Sequence, residues 1–227
     1  MELWRTRHHS MKMLAEDFKQ QGKIIERLYA IIDECIELFS IKAGKNDFHR
    51  ICGVVLAKAR NYSFGSYGLI LDGLGQEAGA LLRPFIEYHE LLIYFRLDPK
   101  RIQQAIENSL PSAGKRAKLI KGYYHDLRKS LNENASHSSF SYQALNHLFD
   151  KPTMTIRKEQ PMLPKVFFQN MRSLFIIMIP MATEAINCLQ IADMGSAEKQ
   201  AEAIEELKKE GYVVFKLNEL QNTKATK

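Results

Sequence analysis

The sequence predicts an all-α protein: a helical bundle of about six helices with a polar loop excursion at 136–163. Apolar residues recur at three- and four-residue steps through most of the chain, and strictly alternating stretches are almost absent. Glycine and proline fall mainly where one periodic segment gives way to the next. No linker is rich in Pro, Gly or Ser and no internal repeat is visible. Residues 1–217 therefore read as a single helical domain and 218–227 as a flexible tail.

The elements follow in order. Leu14, Phe18, Ile25, Leu28, Ile32, Cys35 and Phe39 form one apolar stripe, which predicts a single long first helix. Gly44 is its stop and Asn46 caps a second helix running from Asp47 to about Asp72. Gly73-Leu74-Gly75 breaks the chain, and Glu77 opens a third helix to Phe95 that must fold back antiparallel on the second. Asp98-Pro99 starts a shorter helix over 99–109, ended by Leu110-Pro111. From Ser112 the stripe Ala117, Ile120, Tyr124, Leu127 and Leu131 predicts a further helix. The pattern then dissolves, with a short helix at Tyr142–Phe149 and a short extended piece at Thr153–Arg157. A core helix over 165–192, kinked at Pro180, and a charged helix over Ala197–Glu210, capped by Ser196 and ended by Gly211, complete the bundle. Tyr212–Leu217 reads as a strand or an extended docking segment.

Lys+Arg number 32 against 26 Asp+Glu, a net charge of +6, with 45% hydrophobic and 26% charged residues. Such apolar content excludes a disordered chain. Cys35, Cys52 and Cys188 lie among apolar residues with no C-x-x-C pair, which points to buried reduced thiols rather than a zinc or redox site. The basic N-terminus lacks the apolar run of a signal peptide, and Leu174–Ala182 falls short of the roughly 20 residues of a membrane span. The expectation is a cytoplasmic protein with no membrane association. Several chemistries are excluded by motif. G-x-x-x-x-G-K-[ST] and G-x-S-x-G do not occur, and Gly73–Gly79 lacks dinucleotide-binding spacing. His89-Glu90 has no second histidine of a zinc-protease helix, and Glu87 to Glu90 fails the Glu-x-x-His spacing of di-iron bundles. No cofactor or metal is expected.

Three constellations remain. Arg83, Glu87, Glu90 and Tyr94, at steps of four, three and four, share one stripe of a helix and form either a substrate-positioning patch or a surface ion pair. Ser130, Asn134 and His137, at steps of four and three, with Arg128 just upstream, are either acid–base hardware or a helix-end cap. Between Lys115 and Lys129 lie six basic residues and one acid, so most of the net charge sits there. On an ideal helix Lys115, Lys118, His125 and Lys129 fall within about 80° of one another. Lys121 and Tyr123 lie in the same stretch, which reads as a phosphate-neutralising face with an aromatic for base stacking, or as a solvated face.

The segment LDGLGQEAGALLRPFIEYHELLIYFRLDP, followed by LRKSLNENASH, resembles a group of uncharacterised bacterial helical proteins. Their pattern is an L-x-R-x-x-x-E helix, an acidic-Pro helix start and a Ser-rich helix closing on His, matched here by Arg83, Glu87, Asp98-Pro99 and His137 over roughly 70–137. More distantly the chain is similar to HEPN-type domains, many of which are metal-independent ribonucleases of phage-defence and toxin systems built around Arg followed four to six residues later by His. Here eight residues separate Arg128 from His137, about half a turn out of phase on a continuous helix, and a break near Asn134 would bring them together.

The resemblance implies RNA cleavage without metal. His137 would be the acid–base, Arg128 the stabiliser of phosphorane charge, and Asn134 and Ser130 the orienting groups, with RNA held by the basic 115–129 helix. The alternatives are a non-catalytic helical binding or regulatory module using Arg83, Glu87, Tyr94 and His137, and nucleic-acid binding without catalysis. A homo-oligomer is also expected, because a long unpaired first helix can pack on a copy of itself.

Overall fold

The structure is a computed structural model that describes residues 4–122, 124, 127–129, 148–150, 152–157, 162–193, 195 and 197–217. The described residues form eight α-helices, a 3-10 turn and one two-stranded antiparallel ladder, so the chain is all-α with more helical segments than the six expected. The long helices of the first half are α1 (Arg5–Glu16), α2 (Lys19–Lys42), α3 (Asp47–Leu71) and α4 (Gly75–Leu97). A 3-10 turn, Pro99–Arg101, leads to the short α5 (Ile102–Ile106) and α6 (Ala113–Leu119). Strands β1 (Phe149–Asp150) and β2 (Thr155–Ile156) precede α7 (Pro164–Ala192) and α8 (Glu198–Val214). Ser196, the stretch 142–147 and the tail 218–227 lie outside the described residues.

The first predicted helix is two. The chain leaves helical geometry at Asp17-Phe18, and this turns the Phe18 ring onto Phe167, with centroids 5.5 Å apart. Helix α1 folds back so that Leu14 lies against Gly22, where an added Cβ would sit 3.1 Å from it. Arg7 then clasps Asp72 through two hydrogen bonds of 2.6 Å. Helix α2 buries nine residues and packs against α3, α7 and α8, so the first half of the chain offers no long unpaired helix to a second copy.

Helices α3 and α4 form the expected antiparallel hairpin. Asn46 caps α3 by accepting from the backbone N–H groups of Phe48 and His49. At the other end Gly73 takes φ +80°, a left-handed turn that suits glycine. Gly65 lets the two helices approach closely, since a Cβ there would meet Leu81 at 3.1 Å. Asp98 accepts from the Lys100 N–H, as its place before Pro99 predicts.

Four further expectations need correction. The helix opened at Ser112 does not continue unbroken through Leu131; it ends at Leu119, with Lys121 left-handed at φ 51° and Gly122 N–H bonding back to Ala117 O at 2.8 Å. That bond around a left-handed residue is a helix stop. The short helix expected over 99–109 is reduced to the 3-10 turn and the five residues of α5. Gly211 does not end the last helix, which continues to Val214, so Tyr212–Val214 is helical rather than extended. Its glycine serves packing instead, because any Cβ at 211 would overlap the Phe175 ring. Phe149 lies in a strand and not at the end of a helix, and it pairs with Ile156 of the extended piece expected nearby.

Helix α7 is the core. Fourteen of its 29 residues are buried, including Phe167, Met171, Phe175, Met178 and Met181. By length and composition it would cross a membrane, but 67% of its most apolar stretch is buried against the other helices, the situation of a core helix. All three cysteines are free and buried, and burial pushes the Cys35 thiol up to about 12.

Candidate functional site

The polar residues of α4 converge on the chain that follows α6. Arg83 lies 3.5 Å from Glu87, the ion pair that their four-residue spacing allows. Arg128 reaches the same cluster from the other side, pairing with Glu90 and lying 3.8 Å from Glu87. Arg116 faces the two carboxylates as well, and one of its terminal nitrogens donates to Pro111 O at 2.6 Å. Three guanidinium groups thus surround two carboxylates. Glu90 is only 2% exposed and Arg128 16%, so that pair is internal, whereas Arg83 and Glu87 are 36% and 29% exposed at its rim.

Burial has measurable consequences there. Desolvation raises the Glu90 carboxyl, and the Arg128 guanidinium beside it opposes the rise. Desolvation also lowers Arg116, with Glu87 and Glu90 opposing. The Nε atoms of both Arg116 and Arg128 are buried without a hydrogen-bond partner among the described residues. Unmatched cationic donors in a desolvated cluster mark a candidate site. A pocket of about 370 Å³ opens directly beside it, lined by Glu90, Gly114, Ala117, Lys118, Lys121, Gly122 and Arg128. Gly122 approaches the cluster closely, since a Cβ there would lie 3.0 Å from Glu90 Oε1.

The adjacent residue of α4, His89, faces a different space. Successive helix residues point about 100° apart, so His89 turns away from the arginines and into a cleft of about 630 Å³ between α4, α7 and α8. Its Nδ1 meets the Tyr124 hydroxyl at 2.8 Å. Burial lowers the imidazole to about 4, with a hydrogen bond to the Pro180 backbone opposing the drop. The ring is therefore neutral, and its Nδ1 accepts from Tyr124. Burial raises the Tyr124 phenol, so that group stays protonated and can donate. In the same cleft Arg96 pairs with Glu184, whose carboxyl is raised by desolvation against the pull of Arg96.

The predicted site residues separate accordingly. Arg83, Glu87 and Arg128 come together, although Arg128 and its partner Glu90 stand 38 positions apart in the chain. The helix ends at Leu97 and Leu119 are what return the chain to α4. Tyr94 is buried, donates to Gln104 Oε1 at 2.9 Å and lies under the Arg101 guanidinium, and it also acts electrostatically on Arg116 of the cluster. Lys115, Lys118, Lys121 and Lys129 are all exposed, but the stop at 119–122 separates Lys129 from Lys115 and Lys118, so these three do not share the one helical face expected of them. Ser130, Asn134, His137, Tyr123 and His125 lie outside the described residues. Sequence reasoning missed Arg116 as a member of the cluster, and it read Tyr124 only as part of an apolar stripe. It also gave no role to the Arg96–Glu184 pair, whose partners are 88 positions apart and carry no local signal.

Among the described residues no group of His, Cys, Asp and Glu has the arrangement of a metal site. Comparison with protein-family models, with curated proteins and with solved structures found no match.

Proposed function

We propose that the protein binds RNA at the face built by Arg83, Arg116 and Arg128 with the exposed Lys115, Lys118, Lys121 and Lys129. The observation that carries this reading is the pocket beside Arg128, where Lys118, Lys121 and Arg128 face the single carboxylate of Glu90. Surface lysines supply the salt-dependent attraction to phosphates, and the pocket supplies a fixed point for one of them. A phosphate entering it competes with Glu90 for Arg128.

Within this reading the activity is metal-independent cleavage. His137 takes the proton of a 2′-hydroxyl as that oxygen attacks the adjacent phosphorus, then returns it to the departing 5′-oxygen, leaving a 2′,3′-cyclic phosphate. Arg128 stabilises the charge that builds on the phosphorane, and Asn134 and Ser130 orient the groups. The setting is that of a cytoplasmic HEPN-like defence or toxin-type protein, in keeping with the resemblance.

Fluorescence anisotropy with a labelled single-stranded oligouridine tests the binding. Affinity should fall steeply with salt, and Lys118→Gln with Lys121→Gln should reduce the slope of log K against log salt by about 0.7 for each phosphate no longer neutralised. Absent or salt-insensitive binding refutes the reading. His137→Ala should abolish cleavage and leave binding intact; unchanged cleavage removes the catalytic assignment alone. The rival reading, a binding module without catalysis, is favoured by the separate His89 cleft. Light scattering on the eluting protein decides whether the module is a homo-oligomer.

A further inference from the structure

The cleft beside His89 is distinct from the basic pocket beside Arg128, with which it shares no lining residue. Its walls are aliphatic: Ile93, Leu97, Ile120, Leu127, Ile176 and Ile179 supply most of the surface. Leu97 is 53% exposed and Ile176 43%, both at the same opening, so water covers apolar surface there that a ligand would bury. Polar side chains, the charged ones being Arg96, Glu184 and Lys208, line the rest. Arg96 donates through Nε to Glu184, and its terminal nitrogens make no hydrogen bond among the described residues. Lys208 lines the same space and holds Glu205, which lies outside the lining and is well exposed. Each cation of the cleft thus already holds one carboxylate, and what is left over is the terminal nitrogens of Arg96 as donors. His89 adds no charge, being neutral and engaged by Tyr124.

We propose that this cleft binds a small monoanionic amphiphile with an unbranched aliphatic body, of the medium-chain carboxylate class. The chain lies along the isoleucines of α7 and α4, and the carboxylate meets the outer edge of the Arg96 guanidinium with Lys208 nearby. Three properties select that class. The volume of about 630 Å³ falls in the range of small-molecule sites. The aliphatic lining favours an alkyl chain over a flat aromatic, because only Tyr124 and Tyr212 offer a phenol ring face. The unmatched terminal donors of Arg96 favour an anionic head over a neutral or cationic one. Arg96 suits the role because a guanidinium can hold one carboxylate through Nε and a second through its terminal nitrogens.

Isothermal titration calorimetry with decanoate, decanol and decyltrimethylammonium, each kept below its critical micelle concentration, tests the site. Decanoate should bind roughly tenfold more tightly than decanol, the ratio that a charge-assisted hydrogen bond supplies, and the ammonium compound should not bind. Ile176→Trp, at an exposed rim position, should fill the cleft and abolish decanoate binding while the circular dichroism spectrum and melting temperature stay those of the parent. Lys208→Gln should weaken decanoate several-fold and leave decanol unchanged, which keeps the test decisive if the tryptophan variant fails to fold. Equal affinity for decanoate and decanol, no binding by decanoate, or full binding by a folded Ile176→Trp each overturns the proposal.

Discussion

His89 should make the protein acid-sensitive well above the pH at which its carboxylates titrate. The ring is buried between Tyr124 and Pro180, and desolvation lowers it to about 4 from 6.5. In an unfolded chain it takes up a proton as pH falls through about 6.5, whereas the folded chain refuses that proton until about 4. Between these values the unfolded state binds more protons, so stability falls as the solution is acidified, and the loss is complete below the lower value. At 1.36 kcal/mol for each pH unit of separation the ceiling is roughly 3 kcal/mol, of which about 2 kcal/mol is lost between pH 7 and pH 5. That corresponds to roughly 4–8 °C in melting temperature for a chain of this length. His49 is also lowered by burial and acts in the same direction, while the raised Glu90 and Glu184 act in the opposite one. The comparison with His89→Gln, which cannot titrate, isolates the ring. Urea denaturation followed by circular dichroism at both pH values should show the parent losing about 2 kcal/mol more than the variant. Equal losses would refute the buried, neutral assignment.

Arg128→Met should cost about 3–5 kcal/mol at neutral pH because it leaves Glu90 charged and buried, and adding Glu90→Gln should recover much of that loss in a double-mutant cycle. Gly211→Ala should destabilise by about 1–3 kcal/mol in thermal denaturation, since overlap with Phe175 outweighs the helix propensity gained; a more stable variant would show that the helices can separate at no cost. Asn46→Ala should cost about 1 kcal/mol by removing the acceptor for the Phe48 and His49 N–H groups, whereas Asn46→Gly should cost only a few tenths, both read from urea midpoints.

The helices that bury a stripe were legible in the sequence, and so were stops marked by glycine at the left-handed position. The Gly73 turn and the Asn46 cap are examples, since each is a local rule with one responsible side chain. The stop after α6 was not legible, because its left-handed position is Lys121 and the glycine falls one residue later, where it serves the approach to Glu90. The same holds at the end of α8, where Lys216 takes φ 53°. Gly211 misled in the opposite sense: it looked like a stop and is a packing position. The break at Asp17-Phe18 carries no glycine or proline and leans on Phe167, a residue far away in the chain. Spacing on one helix placed Arg83 beside Glu87, but nothing in sequence brought Arg116 or Arg128 to them.

The two sites share a wall, and its anchoring explains why α4 carries a histidine next to a glutamate at full burial. Tyr124 ties the chain to His89 on the cleft side, and Arg128 ties it to Glu90 on the basic side. The two anchors are adjacent on α4 and four positions apart beyond α6, so they pin that stretch at two points. A buried polar pair contributes little net stability compared with an apolar replacement, but each of these fixes register, since a slip would leave a buried charge or an unpaired imidazole. A ligand in the cleft would press on Tyr124, and a phosphate in the basic pocket would draw on Arg128. Any movement of the common stretch therefore links the two occupancies, and the linkage must be the same in both directions. Decanoate titrated with and without oligouridine would read that coupling as a change in affinity, and identical affinities would show that the wall is rigid.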